Sequence, residues 1–145
     1  KGMDNEKHRP IMIHRVIFGS LERFFGILVE HFAGKFPLWL APVQAIILPI
    51  NQDLIPYAQK IKFELDDFYI RCEVDTRNET LKKKIREAQG QKIPYMLIMG
   101  DRDMEAGEVS VRLRSGEDLG GMAVDAFIGK LSEIVSTRQL ELWEA

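Results

Sequence analysis

The sequence holds a single cysteine, Cys72, so no disulfide can form within the chain, which suits a reducing compartment. A lone thiol of this kind is expected to be buried and structural. Nowhere does an apolar run approach the ~20 residues that a membrane-spanning helix needs. The polar N-terminus, KGMDNEKHRP, has no apolar signal-peptide core. Charge of one sign is also lacking: the net value is −2 over 145 residues, so any attraction to nucleic acid must come from a local patch. There is no Gly-x-Gly-x-x-Gly, no Gly-Lys-Ser/Thr loop and no paired cysteines. No nucleophile triad can be read from the chain. A flavodoxin-like small-molecule binder is disfavoured because PINQD, which follows the first buried strand, holds no glycine. No internal repeat or low-complexity segment is present.

What remains is the composition of a folding chain, with 46% hydrophobic and 29% charged residues. Residues 11–19, IMIHRVIFG, are rich in β-branched and apolar side chains and predict a strand. Leu21, Phe24, Phe25, Leu28 and Phe32 recur at helical spacing, with Ser20 as N-cap and Gly34 as stop. Pro37 and Pro42 mark residues 35–42 as a connector. VQAIILPI (43–50) is almost continuously apolar, as in a strand buried on both faces. Asp53 is expected to cap the following helix, where Pro56 is tolerated in the first turn and Ile55, Ala58, Ile61 and Leu65 form the apolar face. A second strand over 69–74 precedes a helix over 79–91 with Leu81, Ile85 and Ala88 facing inward. A third buried strand follows over 95–100. Residues 107–122 read as a hairpin turning at Ser115-Gly116, and 123–135 as a closing helix. Alternating strands and helices predict a three-layer α/β domain: a five-stranded mixed sheet with three flanking helices, preceded by a strand–helix unit.

Charge is uneven. From Arg77 to Lys92 there are six basic residues (Arg77, Lys82, Lys83, Lys84, Arg86, Lys92) against Glu79 and Glu87. The helix over 79–91 is therefore the surface best suited to a polyanion. Arg23 falls in the first turn of a helix, where the dipole disfavours a cation unless an anion such as a phosphate chain is bound. His14 alternates with apolar neighbours, and one histidine cannot make a zinc site. Asn78 precedes a helix and reads as an N-cap. Asp103 is expected in a loop and Arg112 on an alternating strand. Asn78 and Asp103 follow the second and third strands, at the carboxyl ends where ligands of open α/β sheets gather. Arg112 joins them only if the hairpin folds back beside that rim. An amide with an arginine fork suits the edges of splayed RNA bases.

At these residues the chain resembles the threonyl-tRNA synthetase family of class II synthetases. MIHRVIFGSLERFFGILVEHFAGKFPLWLAPVQ is similar to the end of its catalytic domain, including class II motif 3. VDTRNETLKKKIREAQGQKIPYMLIMGD and VSVRLRSGEDLGGM are similar to the anticodon-binding domain that follows. The resemblance implies a division into residues 1–42 (catalytic-domain remnant), 43–137 (anticodon-binding domain) and 138–145 (tail); the end of the chain, 136–145, reads as peripheral. It implies that Arg23 holds ATP phosphate and that Ser20 lies beside the adenylate pocket. It implies that His14 is one of three protein ligands of a zinc ion that selects threonine. Asn78, Lys92, Asp103 and Arg112 fall at positions that recognise anticodon bases. Asp103 stands where some relatives have glutamate and Lys92 where some have arginine, which keeps the charge but loses the planar fork. Lys82 and Lys83 replace a glycine and an aromatic residue common in the family.

The expected function is therefore recognition of the tRNA(Thr) anticodon stem-loop by the C-terminal piece of a threonine–tRNA ligase. The intact parent would use ATP-Mg and zinc, act as a homodimer in the cytoplasm or a mitochondrion, and have no membrane association. Motifs 1 and 2, the cysteine and the second histidine ligand are not in this chain. The expectation is that this piece holds neither cofactor and is inactive without the missing catalytic domain. The competing class is a non-catalytic module, such as the synthetase-like anticodon domain of an accessory subunit.

Overall fold

A computed structural model describes residues 3–143. Its elements in chain order are α1 (Leu21–Phe32), β1 (Ala45–Pro49), α2 (Ile55–Asp67), β2 (Cys72–Val74), α3 (Leu81–Gly90), β3 (Tyr95–Met99), α4 (Asp101–Ala106), β4 (Glu108–Leu113), β5 (Asp118–Ala123) and α5 (Val124–Thr137). The sheet order is β2-β1-β3-β4-β5. Parallel pairing joins β1 to β2, with Ala45 opposite Cys72, and β1 to β3, with Ala45 opposite Tyr95. The hairpin returns antiparallel, with Tyr95 opposite Leu113 and Glu108 opposite Ala123. This is the five-stranded mixed sheet expected from the sequence.

The period-2 alternation of strands sorts the core into two layers. Ala45, Ile47, Tyr95, Leu97, Met99, Val109, Val111 and Leu113 face α2 (Ala58, Ile61, Leu65) and α5 (Phe127, Leu131, Ile134). Ile46, Leu48 and Met96 face the other way, onto Ala88, with Leu81 and Ile85 of α3 packed at the margin. Each fully buried Leu or Ile contributes roughly 1.5–3 kcal/mol. Because α3 packs on β1, the α3 side of the hairpin is left open, with Asp118 and Gly121 exposed opposite Arg112 and Ser110.

Several local expectations are corrected. No strand forms over 11–19: Met12, Ile13, Val16 and Ile17 are 75–82% exposed and irregular. A strand exists only by pairing its backbone with a neighbour, and among the described residues none pairs with this segment. Helix α1 does form, capped by the Ser20 hydroxyl on the Arg23 N–H, and ends in a left-handed Ala33 rather than at Gly34 itself. Its last turns meet the rest of the chain through Phe36, whose ring lies 6.5 Å from Phe25 and 5.8 Å from Phe32.

Asn51, not Asp53, makes the capping bond before α2, accepting the Leu54 N–H at 3.1 Å. Thr80, not Asn78, occupies the N-cap of α3 and makes no side-chain cap bond. Asp103 lies in the short helix α4 rather than in a loop. Its carboxylate accepts the Gly100 N–H at 2.7 Å, replacing a partner that the helix start lacks.

The connector is fastened to the sheet domain. Leu38 is fully buried in a single 3-10 turn, Leu38–Leu40. The Arg71 guanidinium donates to the carbonyls of Ala41 (2.8 Å) and Trp39 (3.3 Å). Arg114 donates to Phe36 (2.6 Å) and Lys35 (3.0 Å). The C-terminal segment is not peripheral either. Leu142 is buried, its carbonyl accepts the Tyr95 hydroxyl, and Trp143 lies edge-on to the Tyr95 ring.

Candidate nucleic-acid interface

The carboxyl ends of β1, β2 and β3 share one rim of the sheet. The loop 75–80 after β2 carries Asn78, which is exposed there. Helix α4, just beyond β3, carries Asp103. Antiparallel pairing brings the start of β4 to the same rim, so Ser110 stands opposite Ile98 and Arg112 opposite Met96. Arg112 thus lies further down the sheet, one residue short of where β3 begins. Ser110 and Arg112, two apart on one strand, share the α3 side with Ile46, Leu48 and Met96.

Asp103 and Ser110 are joined: the Ser110 hydroxyl donates to Asp103 Oδ1 at 2.8 Å. With Gly100 on Oδ2, both carboxylate oxygens already accept one hydrogen bond each. Each retains a lone pair for a base amino group. Arg112 donates from Nη2 to Asp118 Oδ2 at 3.0 Å across the β4–β5 pair. The Gly120 N–H, and then Arg112, hold the Asp118 carboxyl below the usual carboxylate range. Arg112 Nε is buried and has no hydrogen-bond partner among the described residues. The guanidinium is therefore held at one corner by Asp118, and the Arg112 side chain is 31% exposed.

Lys92 stands apart. Helix α3 runs from the Asn78 rim to the opposite end of the sheet, and Lys92 lies two residues past its end. Its backbone is left-handed (φ 62°) and its stem lies against Gly34. A small apolar cleft of about 190 Å³ adjoins it, lined by Gly34, Phe36, Ala41, Pro42, Val43 and Ile93. The structure thus brings Asp103 close to Arg112's strand, sets Asn78 on the same rim, and leaves Lys92 at the far end.

The basic character of α3 is narrower than the sequence count implies. Lys83 pairs with Glu79 at 2.6 Å. Arg77 pairs with Asp75 at 2.6 Å and Glu87 at 2.7 Å. Lys84 is buried. Lys82 and Arg86, one turn apart, remain as the exposed cations of the helix. Ser110 and Asp118 were not among the residues picked from the sequence. Their only signal there is position: each sits on the hairpin within two residues of, or register-paired with, Arg112.

Ser20, Arg23 and His14 are exposed. Ser20 Oγ donates to Glu22 at 2.9 Å and accepts the Arg23 N–H at 3.4 Å. Glu22, beside Arg23 at the helix start, works against a phosphate there. His14 is exposed, and no group of three or more His, Cys, Asp or Glu among the described residues could hold a metal. These residues do not by themselves fit a zinc or nucleotide site. Burial, with Asp66 nearby, pushes the Cys72 thiol up to about 12, so it is an inert structural group.

The molecule is thus a three-layer α/β domain with an open hairpin face and polar side chains on one rim. The Anticodon binding domain family model matches residues 44–134, and the chain belongs to that family. It is 59% identical over 97% of its length to the threonine–tRNA ligase of Desulforapulum autotrophicum, covering 22% of that protein. It is 58% identical over 96% of its length to that of Caldanaerobacter subterraneus, again covering 22%. The chain thus spans about a fifth of the length of these curated relatives. Among solved structures it is similar to the RNA binding domain of threonyl-tRNA synthetase from Cryptosporidium parvum (TM-score 0.75, 35% identity, 83% of this chain, 30% of that one). It is also similar to prolyl-tRNA synthetase from the same organism (TM-score 0.61, 26% identity, 70% and 23%). No described helix is long and apolar enough to cross a membrane.

Proposed function

We propose that this chain is the anticodon-reading part of a threonine–tRNA ligase, and that the whole protein joins threonine to tRNA(Thr) at the expense of ATP. The observation that carries the reading is Arg112, its side chain 31% exposed and restrained at one corner by Asp118, on an open sheet face below a rim that presents Asn78. Such a fork suits a base edge, and the Asn78 amide suits a second. Lys82 and Arg86 would meet phosphates, and Lys92 would meet RNA only where the strand reaches past α3. Identities above 50% to threonine–tRNA ligases over nearly the whole chain favour this over an accessory, non-catalytic module. Arg23, Ser20 and His14 would belong to the parent's phosphate, adenylate and zinc sites, completed by residues outside this chain. Homodimer formation and a cytoplasmic location belong to the same reading of the whole protein.

The test is a titration of the chain with a tRNA(Thr) anticodon stem-loop and with stem-loops altered at each anticodon base, all at one salt concentration. Tighter binding of the matched loop is expected. Equal binding of all of them defeats the recognition role.

A further inference from the structure

Of the three consecutive lysines 82–84, Lys84 alone is buried, with 3% exposure. It lies one turn before Ala88 on the face of α3 that packs on the sheet. A buried ammonium survives only where it is hydrogen-bonded. Lys84 Nζ donates to the Asp75 carbonyl at 3.0 Å and to the Pro49 carbonyl at 3.3 Å. These carbonyls end β1 and follow β2, so one ammonium ties together the carboxyl ends of two neighbouring parallel strands.

The residue it grips begins a braced loop. The Asp75 N–H donates to the Ile47 carbonyl at 3.0 Å. The Asp75 carboxylate accepts the Arg77 N–H (3.0 Å) and its guanidinium (3.0 and 2.6 Å). Arg77 reaches on to Glu87, and the Glu79 N–H donates to the Arg77 carbonyl at 3.0 Å. Asn78 lies inside this loop and is exposed at its tip.

We propose that Lys84 is a positioning residue for base recognition. By holding the Asp75 carbonyl, its ammonium sets loop 75–80 and so the direction in which Asn78 is presented. Lys84 is too buried to touch RNA and acts only through that loop. A methionine of similar length has no donors and would let the Asp75 carbonyl turn to water. The proposal rests on the anticodon reading given above.

The experiment uses the full 145-residue chain with Lys84→Met, Asn78→Ala and the double variant. Amide exchange and stem-loop binding are measured on each. In Lys84→Met, exchange at Arg77 and Glu79 is expected to speed up about tenfold or more, while the β3 amides keep their protection. Discrimination should fall at the same anticodon position as in Asn78→Ala, on the order of tenfold. The double variant should be no worse than Asn78→Ala. If Lys84→Met does not fold, Lys84→Gln, which keeps a donor but is shorter, is compared in the same way. Unchanged exchange at Arg77 and Glu79, a uniform loss across all stem-loops, or losses that multiply in the double variant would overturn the role of Lys84. A wild-type chain that binds all stem-loops equally overturns the anticodon reading instead, and the exchange data then judge the grip of Lys84 on the loop separately.

Discussion

Arg112 and Asp118 are register partners on β4 and β5, and their side chains meet at 3.0 Å. The aspartate is itself anchored, because its other oxygen accepts the Gly120 N–H at 3.0 Å. It therefore acts as a fixed post that holds one corner of the guanidinium. Removing the post should leave the cation in place but let its plane wander. Asp118→Ala is expected to raise or preserve binding to altered stem-loops, since a negative charge is lost, and to cut discrimination several-fold. Arg112→Ala should cost about 1–3 kcal/mol on the matched loop. Anisotropy titrations at fixed salt measure both. Undiminished discrimination in Asp118→Ala would show that the pair does not orient the arginine.

Leu38 lies in the proline-bounded connector, outside the residues matched by the family model, yet it is fully buried in the main core. Leu38→Ala should cost about 2–5 kcal/mol, the range for large-to-small changes in a well-packed site. A urea midpoint that stays put would mean that the connector is an appendage of the sheet domain. Loss of stability with the m-value unchanged would place it within the cooperative unit.

How far the sequence could be read follows from what each element depends on. VQAIILPI and YMLIMG can be recognised as central strands because burial on both faces makes them almost continuously apolar. The helices α2, α3 and α5 are visible in their spacing. The strand expected over 11–19 fails because apolar composition cannot supply the neighbour that a strand requires. Helix α4 escapes notice because six residues carry too little periodicity, and its start depends on one bond from Gly100 to Asp103. Candidate site residues could be found by residue type and position, but their grouping could not. Arg112's partner Asp118 depends on hairpin register, Lys92's separation on the direction of α3. The burial of Lys84 is hidden in a run of three lysines that reads as a solvated face.

Tyr69 closes α2 in the left-handed region, at φ 59°. Its N–H donates to Asp66 and that of Ile70 to Leu65, at 2.9 and 3.0 Å, the paired bonds that usually end on a glycine. An L-residue there carries a penalty of roughly 1–2 kcal/mol, and the ring is 91% exposed, so it recovers little by packing. Tyr69→Gly should therefore stabilise the chain by about 0.5–1 kcal/mol, after the greater freedom of glycine in the unfolded chain is subtracted. A urea midpoint that falls instead would reveal a packing role for the ring.

Asp75 gives the chain an acid-sensitive joint. Hydrogen bonds from the Arg77 side chain, then from its backbone N–H, outweigh burial and hold this carboxyl below its ordinary value of 3.8. A carboxyl with a lower pKa folded than unfolded contributes stability that is complete above the unfolded value. That stability drains away as pH falls through the folded value. Its share should thus be full near pH 6, begin to fade around 3.8 and be gone once Asp75 protonates in the fold. Protonation also weakens the hold on Arg77, and with it the loop that presents Asn78. Arg77→Ala removes the main cause of the shift, so unfolding followed from pH 6 to pH 2 should show a shallower acid limb than wild type. Parallel limbs for the two proteins would mean that the Asp75–Arg77 pair contributes nothing to acid sensitivity.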